Sequence, residues 1–388
     1  MPDIFADFSP EEPVRIPLLD SFLELPVIIQ IAVIFIFISS ASIVFIQVRI
    51  WFTRYKGHRM QKRLAVLLPL IDNLISEHII LRNDVMNNSV HADNADLDID
   101  AFRLREFRKK GNKQILIDRL ISYRKGFSGS TGALLRRLYL ELDLDKVSFK
   151  KMKRSQWNTK VRGIRELTDM DISISDVNIL PLTNSKRNEL RSEARNAYIK
   201  LSKNEPFKFF DISTEPLLKW DQIELFKTIT TTENIALPSF ARWVTYSSNK
   251  SIVSFCLKLI VHYNQIDAGP AVVKLLDNKD HVLRAEAINC LGKLKYEEVE
   301  QQLLHIYSNQ PLNCQLEILK AIGRMETRHS VLFLKQEFLY STDFDIRKNA
   351  ARSLVRNAPK ALIEELMASS SEDGQLILKH SMNPLIKY

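Results

Sequence analysis

The sequence predicts an all-α protein in which a single N-terminal transmembrane helix is followed by a helical region and an α-solenoid of helical hairpins. Three observations support this fold class. Residues 27–48 contain no charged residue, Gly or Pro, an apolar pattern returns about every 31 residues after residue 157, and only 10 of the 388 residues are Gly. Long uncharged stretches are typical of membrane spans, and fixed periods of about 20–50 residues are typical of repeat proteins.

The uncharged stretch is long enough to cross a bilayer. At about 1.5 Å per residue, a helix of this length matches a hydrocarbon core of about 30 Å. Residues 1–26 precede it as a short acidic tail, with six Asp or Glu against Arg15. A cleaved signal peptide would need a basic segment in that place, so residues 27–48 predict a permanent transmembrane helix.

The residues after the span predict its orientation. Trp51, Phe52 and Tyr55 are aromatic residues of the kind found at membrane interfaces. Six cations accompany them with no acid among them: Arg49, Arg54, Lys56, Arg59, Lys62 and Arg63. The positive-inside rule therefore predicts a single-pass protein of the cell inner membrane, with the tail outside and the solenoid in the cytoplasm.

Residues 49–100 predict a juxtamembrane helix and an acidic linker. Apolar residues recur at helical spacing through residues 64–82, whereas residues 84–100 contain five Asp and no Lys or Arg. The helix could lie on the membrane, pair as a coiled coil or dock on the solenoid, and docking is the favoured interpretation.

A basic helical region is predicted over residues 101–156, and its charge extends into the first repeat. Residues 101–165 contain 19 Lys or Arg against five Asp or Glu. The excess is consistent with a solvated surface, with attraction to anionic lipid, or with binding of a polyanion such as nucleic acid. Nucleic acid is disfavoured because aromatic residues are few and no binding module is recognisable. Candidate anion-binding residues are Arg136, Arg137, Lys150, Lys151, Lys153 and Arg154.

From residue 157 to residue 388 the sequence repeats. Residues 280–294 predict an amphipathic helix whose apolar face includes Val282, Ala285, Ile288 and Leu291. Taking Leu291 as an anchor, apolar residues recur at intervals of 30–32 residues: Leu167, Tyr198, Ile229, Leu259, Leu291, Ile322 and Leu354. Small residues stand one turn before four anchors: Gly163, Ala194, Ala287 and Ala350. This period accommodates two helices and two turns, and small residues allow close helix packing.

Two repeats carry a further pattern. Asp280 with Arg284, and Asp343 with Arg347, precede Ala and Leu residues at equivalent positions. The pattern resembles the short HEAT-like repeat family (the PBS-lyase type), here in a membrane-anchored chain. The resemblance implies an α-solenoid in which each Asp caps a helix and each Arg bonds to neighbouring repeats, so these four residues are expected to be structural.

The sequence predicts no enzyme, cofactor or metal site. It contains no HExxH, CxxC or GxSxG motif, and none of its eight His is followed by Glu, as the iron-binding HEAT-like hydroxylases would require. Its three Cys have no paired spacing and are expected to be buried thiols.

The expected function is therefore that of a non-enzymatic, membrane-tethered scaffold or adaptor that binds a membrane-associated protein partner through its solenoid. The resemblance to bacterial membrane-anchored HEAT-repeat proteins implies an envelope polysaccharide synthesis assembly or another inner-membrane assembly. One alternative is a polyanion binder that uses residues 101–165. Another is a HEAT-like enzyme with an unrecognised site in the solenoid groove.

Overall fold

A computed structural model describes residues 26–81, 97–202, 205–232 and 234–385. All regular structure in these residues is helical, so the all-α prediction is confirmed. The acidic tail and most of the acidic linker lie outside the described residues. The chain divides into two compact units, residues 1–119 and 120–388. The basic region of residues 101–165 is therefore shared between both units.

The helices are numbered in chain order. They are α1 Val27–Ile75, α2 Lys110–Gly126, α3 Gly129–Glu141, α4 Leu144–Met152, α5 Trp157–Asp169, α6 Asp176–Ile179, α7 Asn188–Leu201, α8 Phe209–Ile212, α9 Lys219–Thr231, α10 Ala241–Tyr246, α11 Lys250–His262, α12 Gly269–Val273, α13 His281–Lys293, α14 Glu300–Ile306, α15 Leu312–Met325, α16 Val331–Tyr340, α17 Phe344–Asn357, α18 Lys360–Ser369 and α19 Glu372–Ser381.

The first unit is dominated by α1, which continues through a π-helical turn, Ser76–Ile80. Together they form one helix of 54 residues that is long and apolar enough to cross a membrane. The sequence predicted a span and a separate juxtamembrane helix, but the two are continuous. The connecting residues 49–63 include no Pro, and Arg, Lys and Gln among them favour helix.

The C-terminal end of this long helix has a buried stripe. Leu67, Ile71 and Ile75 are buried at intervals of four residues, which places them on one face. Arg119 of α2 donates hydrogen bonds from Nε and Nη2 to the two carboxylate oxygens of Asp72, at 2.6 and 2.7 Å. This bidentate pair joins α2 to α1 within the first unit.

In the second unit, each odd-numbered helix from α5 to α17 packs on the next odd-numbered helix, and α19 packs on α17. The short even-numbered helices lie between them in sequence, and α10, α12, α14, α16 and α18 pack against the odd-numbered helices that follow them. All seven anchor positions are buried. Burial at a constant interval explains the apolar period, because each anchor lies on a helix that packs against the next odd-numbered helix.

The turns after the long repeat helices also recur. Asp171, Asn264, Lys295 and Glu326 follow α5, α11, α13 and α15, and each has a left-handed backbone with φ between 49° and 59°. After α13, the amide of Tyr296 donates to the carbonyl of Leu291 at 3.1 Å, and equivalent bonds close the turns after α5 and α11. These are Schellman-type ends that are formed without Gly.

Candidate functional site

The exposed side of the odd-numbered helices carries hydrogen bonds from one repeat to the next. Lys258 of α11 donates to Gln222 of α9 at 2.7 Å, and Asn289 of α13 donates to Glu317 of α15 at 2.6 Å. Closer to the N-terminus, Arg165 of α5 binds Glu193 of α7. The partners are 28–36 residues apart, which is about one repeat, so this polar surface follows the packing of the helices.

An apolar groove lies across α9, α11, α13 and α15, and Lys258, Asn289 and Glu317 are among its lining residues. Its volume is about 520 Å³, within the range of about 300–1,000 Å³ typical of binding pockets. Its apolar lining is Phe226, Leu257, Val261, Val282 and Ala285. Val282 is 54% exposed, although it is a large apolar side chain.

Charged groups of both signs surround the apolar lining. Lys258 lies on the α11 side and Glu317 on the α15 side, while α13 contributes Glu286 and Lys293. Lys293 is exposed, and Glu286 is half-buried. The groove therefore offers an apolar floor with a mixed-charge rim, an arrangement that is common at protein interfaces.

Aromatic rings close one edge of the groove. The rings of Phe226 and His262 meet edge to face, with centroids 4.8 Å apart, and His262 makes a similar contact with Tyr263. His262, an exposed residue, thus contacts an aromatic ring on each of two sides. This packing fixes the position of Phe226, which lines the groove.

A buried thiol lies at the floor of the groove. Cys290 is 2% exposed, and burial raises its pKa to about 12. Its Sγ lies 3.6 Å from the carbonyl oxygen of Leu257. A thiol with such a pKa stays protonated at neutral pH, so Cys290 contributes apolar surface rather than a nucleophile.

The sequence had placed Val282 and Ala285 on the buried face of the repeat helix. The structure buries Ile288 and Leu291 of that face, together with Leu283 and Ala287, but it places Val282 and Ala285 on the groove. The apolar stripe of α13 is wider than one helix–helix contact requires. That excess width is compatible with a groove, but it does not distinguish an exposed binding face from a buried one.

The four repeat residues make local structural contacts. Asp280 caps α13 by accepting a hydrogen bond from the amide of Val282 at 3.0 Å, and it also accepts one from Lys250 of α11. Arg284 donates to the carbonyl of Asn278 and to the side chain of Gln310, which precedes α15.

The second Asp and Arg pair makes similar contacts in its own repeat. Asp343 caps α17 through the amide of Ile346 at 3.0 Å. Arg347 donates to the carbonyl of Phe338 on α16 at 3.3 Å.

The six basic candidates are in different environments. Lys150, Lys153 and Arg154 are exposed near the end of α4. Arg136 is exposed and donates to the carbonyl of Asp171 at 3.0 Å, whereas Arg137 is half-buried.

Lys151 differs from the other candidates because its ammonium group binds both carboxylate oxygens of Glu166, at 2.7 and 2.5 Å. Glu166 is buried. Lys151 therefore neutralises an internal charge and is not displayed at the surface.

No group of three or more His, Cys, Asp or Glu able to hold a metal ion occurs among the described residues. No protein-family model matches the sequence, and no curated protein matches it. The fold defines the class as an all-α protein whose described residues include one helix long and apolar enough to cross a membrane.

Proposed function

We propose that this protein is a membrane-tethered scaffold that binds a helical segment of a protein partner in the groove across α9, α11, α13 and α15. The observation that carries the proposal is the apolar groove itself, which has charged residues of both signs at its rim. Exposed apolar surface rimmed by polar residues is typical of interaction sites, and the stacked helices act as a HEAT-like solenoid that holds the groove rigid.

The chemistry of the groove favours an amphipathic helix as its occupant. Phe226, Val261 and Val282 offer an apolar strip to a row of side chains at i, i+3, i+4 and i+7. Lys258 and Lys293 complement acidic residues at the edges of such a helix, and Glu286 complements basic ones. A partner helix with one apolar face and charges of both signs beside that face would therefore complement the groove.

The long N-terminal helix supplies the tether. Beyond its uncharged part, Trp51 stacks on Tyr55 with ring centroids 5.8 Å apart, and the guanidinium of Arg59 lies 5.3 Å from the ring of Tyr55. Aromatic residues with cations are favoured at the cytoplasmic membrane interface, which supports an inner-membrane anchor with the repeats in the cytoplasm. Tethering confines scaffold and partner to two dimensions and raises their effective concentration, as an inner-membrane assembly such as one for envelope polysaccharide synthesis would require.

A crosslinking experiment in cells tests this proposal. A photo-reactive amino acid is placed at Ala285 in the groove or, as a control, at Val177 on α6, which is 85% exposed. We expect one protein to be captured at position 285, through a segment that forms an amphipathic helix, and not at position 177.

A second part of the same experiment uses a substitution that disrupts the groove. Val282→Asp puts a charge on the apolar lining, and we expect it to reduce the crosslink from position 285 at least tenfold. Val177→Asp makes the same replacement at an exposed valine and should leave the crosslink unchanged. Equal capture at both positions, or a crosslink insensitive to Val282→Asp, would disprove the groove as the binding site.

A further inference from the structure

The turn between α4 and α5 carries the most concentrated positive charge of the second unit. Residues 146–165 contain eight Lys or Arg and no Asp or Glu. Four of these cations have acidic partners: Lys146 binds Asp143, Lys151 and Arg162 bind Glu166, and Arg165 binds Glu193. These four cations are therefore engaged in ion pairs with acidic residues of the same chain.

The other four cations cluster around the turn. Lys150, Lys153 and Arg154 are exposed and Lys160 is half-exposed, and no ion pair involving them occurs among the described residues. They lie within eleven residues of one another along a helix end, a short turn and the first turn of the next helix. Mutual repulsion among them is therefore not relieved by the fold, and an external anion would relieve it.

An aromatic side chain lies in the middle of these cations. Trp157 is the first residue of α5 and is 40% exposed, although its side chain is large and mostly apolar. Tryptophan favours the boundary between lipid headgroups and acyl chains, because its ring is apolar and its indole N–H is a hydrogen-bond donor. Lysine and arginine favour the adjoining layer of anionic headgroups.

We propose that the turn formed by Lys150, Lys153, Arg154, Trp157 and Lys160 is a second membrane contact that binds anionic lipid headgroups. The charge is complementary to an anionic leaflet, and the long apolar helix of the same chain keeps such a leaflet close. Nucleic acid fits less well, because binding of single strands uses several aromatic rings for stacking and this turn exposes one. This inference does not rest on the groove.

The contact orients the scaffold. An attachment at the α4–α5 turn in addition to the N-terminal anchor limits which faces of the repeats are directed towards membrane-bound partners. Each cation near an anionic surface strengthens binding roughly fivefold. Four cations with one tryptophan are therefore sufficient for a reversible contact once the chain is already tethered.

The test uses the full chain reconstituted in lipid nanodiscs, with a photo-reactive amino acid in place of Trp157. Nanodiscs are made of phosphatidylcholine alone or of equal parts of phosphatidylcholine and phosphatidylglycerol, and lipid adducts are quantified by mass spectrometry. We expect adducts with phosphatidylglycerol at least fivefold above those with phosphatidylcholine, and we expect added salt to decrease them.

Charge reversal identifies the residues responsible. Lys153→Glu with Arg154→Glu should reduce the phosphatidylglycerol adducts at least tenfold. Lys279→Glu reverses an exposed lysine between α12 and α13 and should leave the adducts unchanged. Circular dichroism of each variant confirms that it is folded.

Three results would overturn the proposal: equal adducts in the two kinds of nanodisc, equal losses for Lys279→Glu and the double variant, or transfer of the crosslink from lipid to added RNA. The last result would identify the turn as a nucleic-acid site instead.

Discussion

Gly292 of α13 lies directly against Ala321 of α15. A Cβ atom added to Gly292 would be 2.5 Å from the Cα of Ala321 and 2.6 Å from its Cβ. Gly323 of α15 has the same relationship to Ser353 of α17, with the added atom 2.7 Å from the serine Cβ. In both cases the residue after one anchor meets the residue before the next anchor, so the closest approach between repeats recurs with the repeat period.

Replacing Gly292 with Ala should therefore destabilise the protein even though alanine favours helix. The new methyl group meets backbone and Cβ atoms that cannot rotate away, and overpacking of this kind costs about 1–3 kcal/mol. The measurement is the free energy of unfolding in urea, followed by circular dichroism of the full chain in detergent micelles.

Gly126→Ala is the matched control. Gly126 is also helical, but nothing lies within 4 Å of an added Cβ. We expect this change to be neutral or to stabilise by up to about 1 kcal/mol. Equal effects of the two substitutions would show that the α13–α15 contact is looser than described.

The sequence predicted the long apolar helix, the all-α class and the burial of the anchor residues, because each leaves a strong pattern of apolar residues. The anchors Leu167 and Leu354 are both buried, as the period required. The prediction that a small residue one turn before an anchor allows close helix packing was correct for Gly163. A Cβ atom added there would meet the backbone of Ser148 and Met152. The same prediction did not include Gly292 and Gly323, which follow their anchors instead of preceding them.

The groove and the turns could not be predicted in the same way. Val282 is apolar and in helical phase with the core, so its pattern does not distinguish a buried face from an exposed binding face. Lys295 and Glu326 adopt left-handed conformations that favour Gly, so composition gave no signal for those turns. The partner of Lys151 is fifteen residues away on the next helix, and only the crossing of α4 and α5 brings it to Glu166.

Two lysines of α4 provide a test of what burial contributes to an ion pair. Lys151 binds Glu166, which is 3% exposed and also accepts a hydrogen bond from Ser148 at 2.5 Å. Lys151→Ala leaves a buried carboxylate with its main cation removed, and we expect a loss of about 3 kcal/mol in the free energy of unfolding. This is the low end of the usual range, because Arg162 still contacts Glu166.

Lys146→Ala is the comparison on the same helix. Lys146 binds Asp143 at 2.7 Å, but both side chains are mostly exposed. Solvent screens such a pair, so we expect a much smaller loss than for Lys151→Ala. Similar losses for the two lysine variants in urea titrations would contradict the burial of Glu166.

The cap of α13 should make stability depend on pH. Hydrogen bonds from Lys250 and then from the amide of Val282 hold the pKa of Asp280 below its usual value of 3.8. A carboxyl whose pKa is lower in the folded state stabilises that state above pH 3.8, and this contribution is lost as the pH falls through the folded pKa. At neutral pH, Asp280→Ala should cost about 0.5–2 kcal/mol, as is usual for N-caps.

If the charge of Asp280 contributes to the cap, the stabilities of the wild type and Asp280→Ala should become more similar as the pH falls. Unfolding free energies of the wild type and Asp280→Ala should differ at pH 7 and should approach each other below pH 3.8. Asp280→Asn retains a capping oxygen and should lose less than Asp280→Ala at pH 7. A difference that does not change with pH would show that the charge of Asp280 has no part in the cap.

The thiols offer a test of the folded repeats without any substitution. Burial raises the pKa of Cys290 to about 12 and raises that of Cys256 well above its usual value. At pH 8 the Cys290 side chain therefore stays protonated, whereas the thiolate is the form that reacts with alkylating reagents. Iodoacetamide should therefore leave both residues unmodified in the intact protein and modify them in concentrated urea, as measured by mass spectrometry of peptides. Because Cys290 lies beneath the groove, rapid alkylation of this residue alone in the folded protein would mean that the floor between α11 and α13 opens to solvent, and the rigid apolar groove proposed for the partner helix would then be wrong.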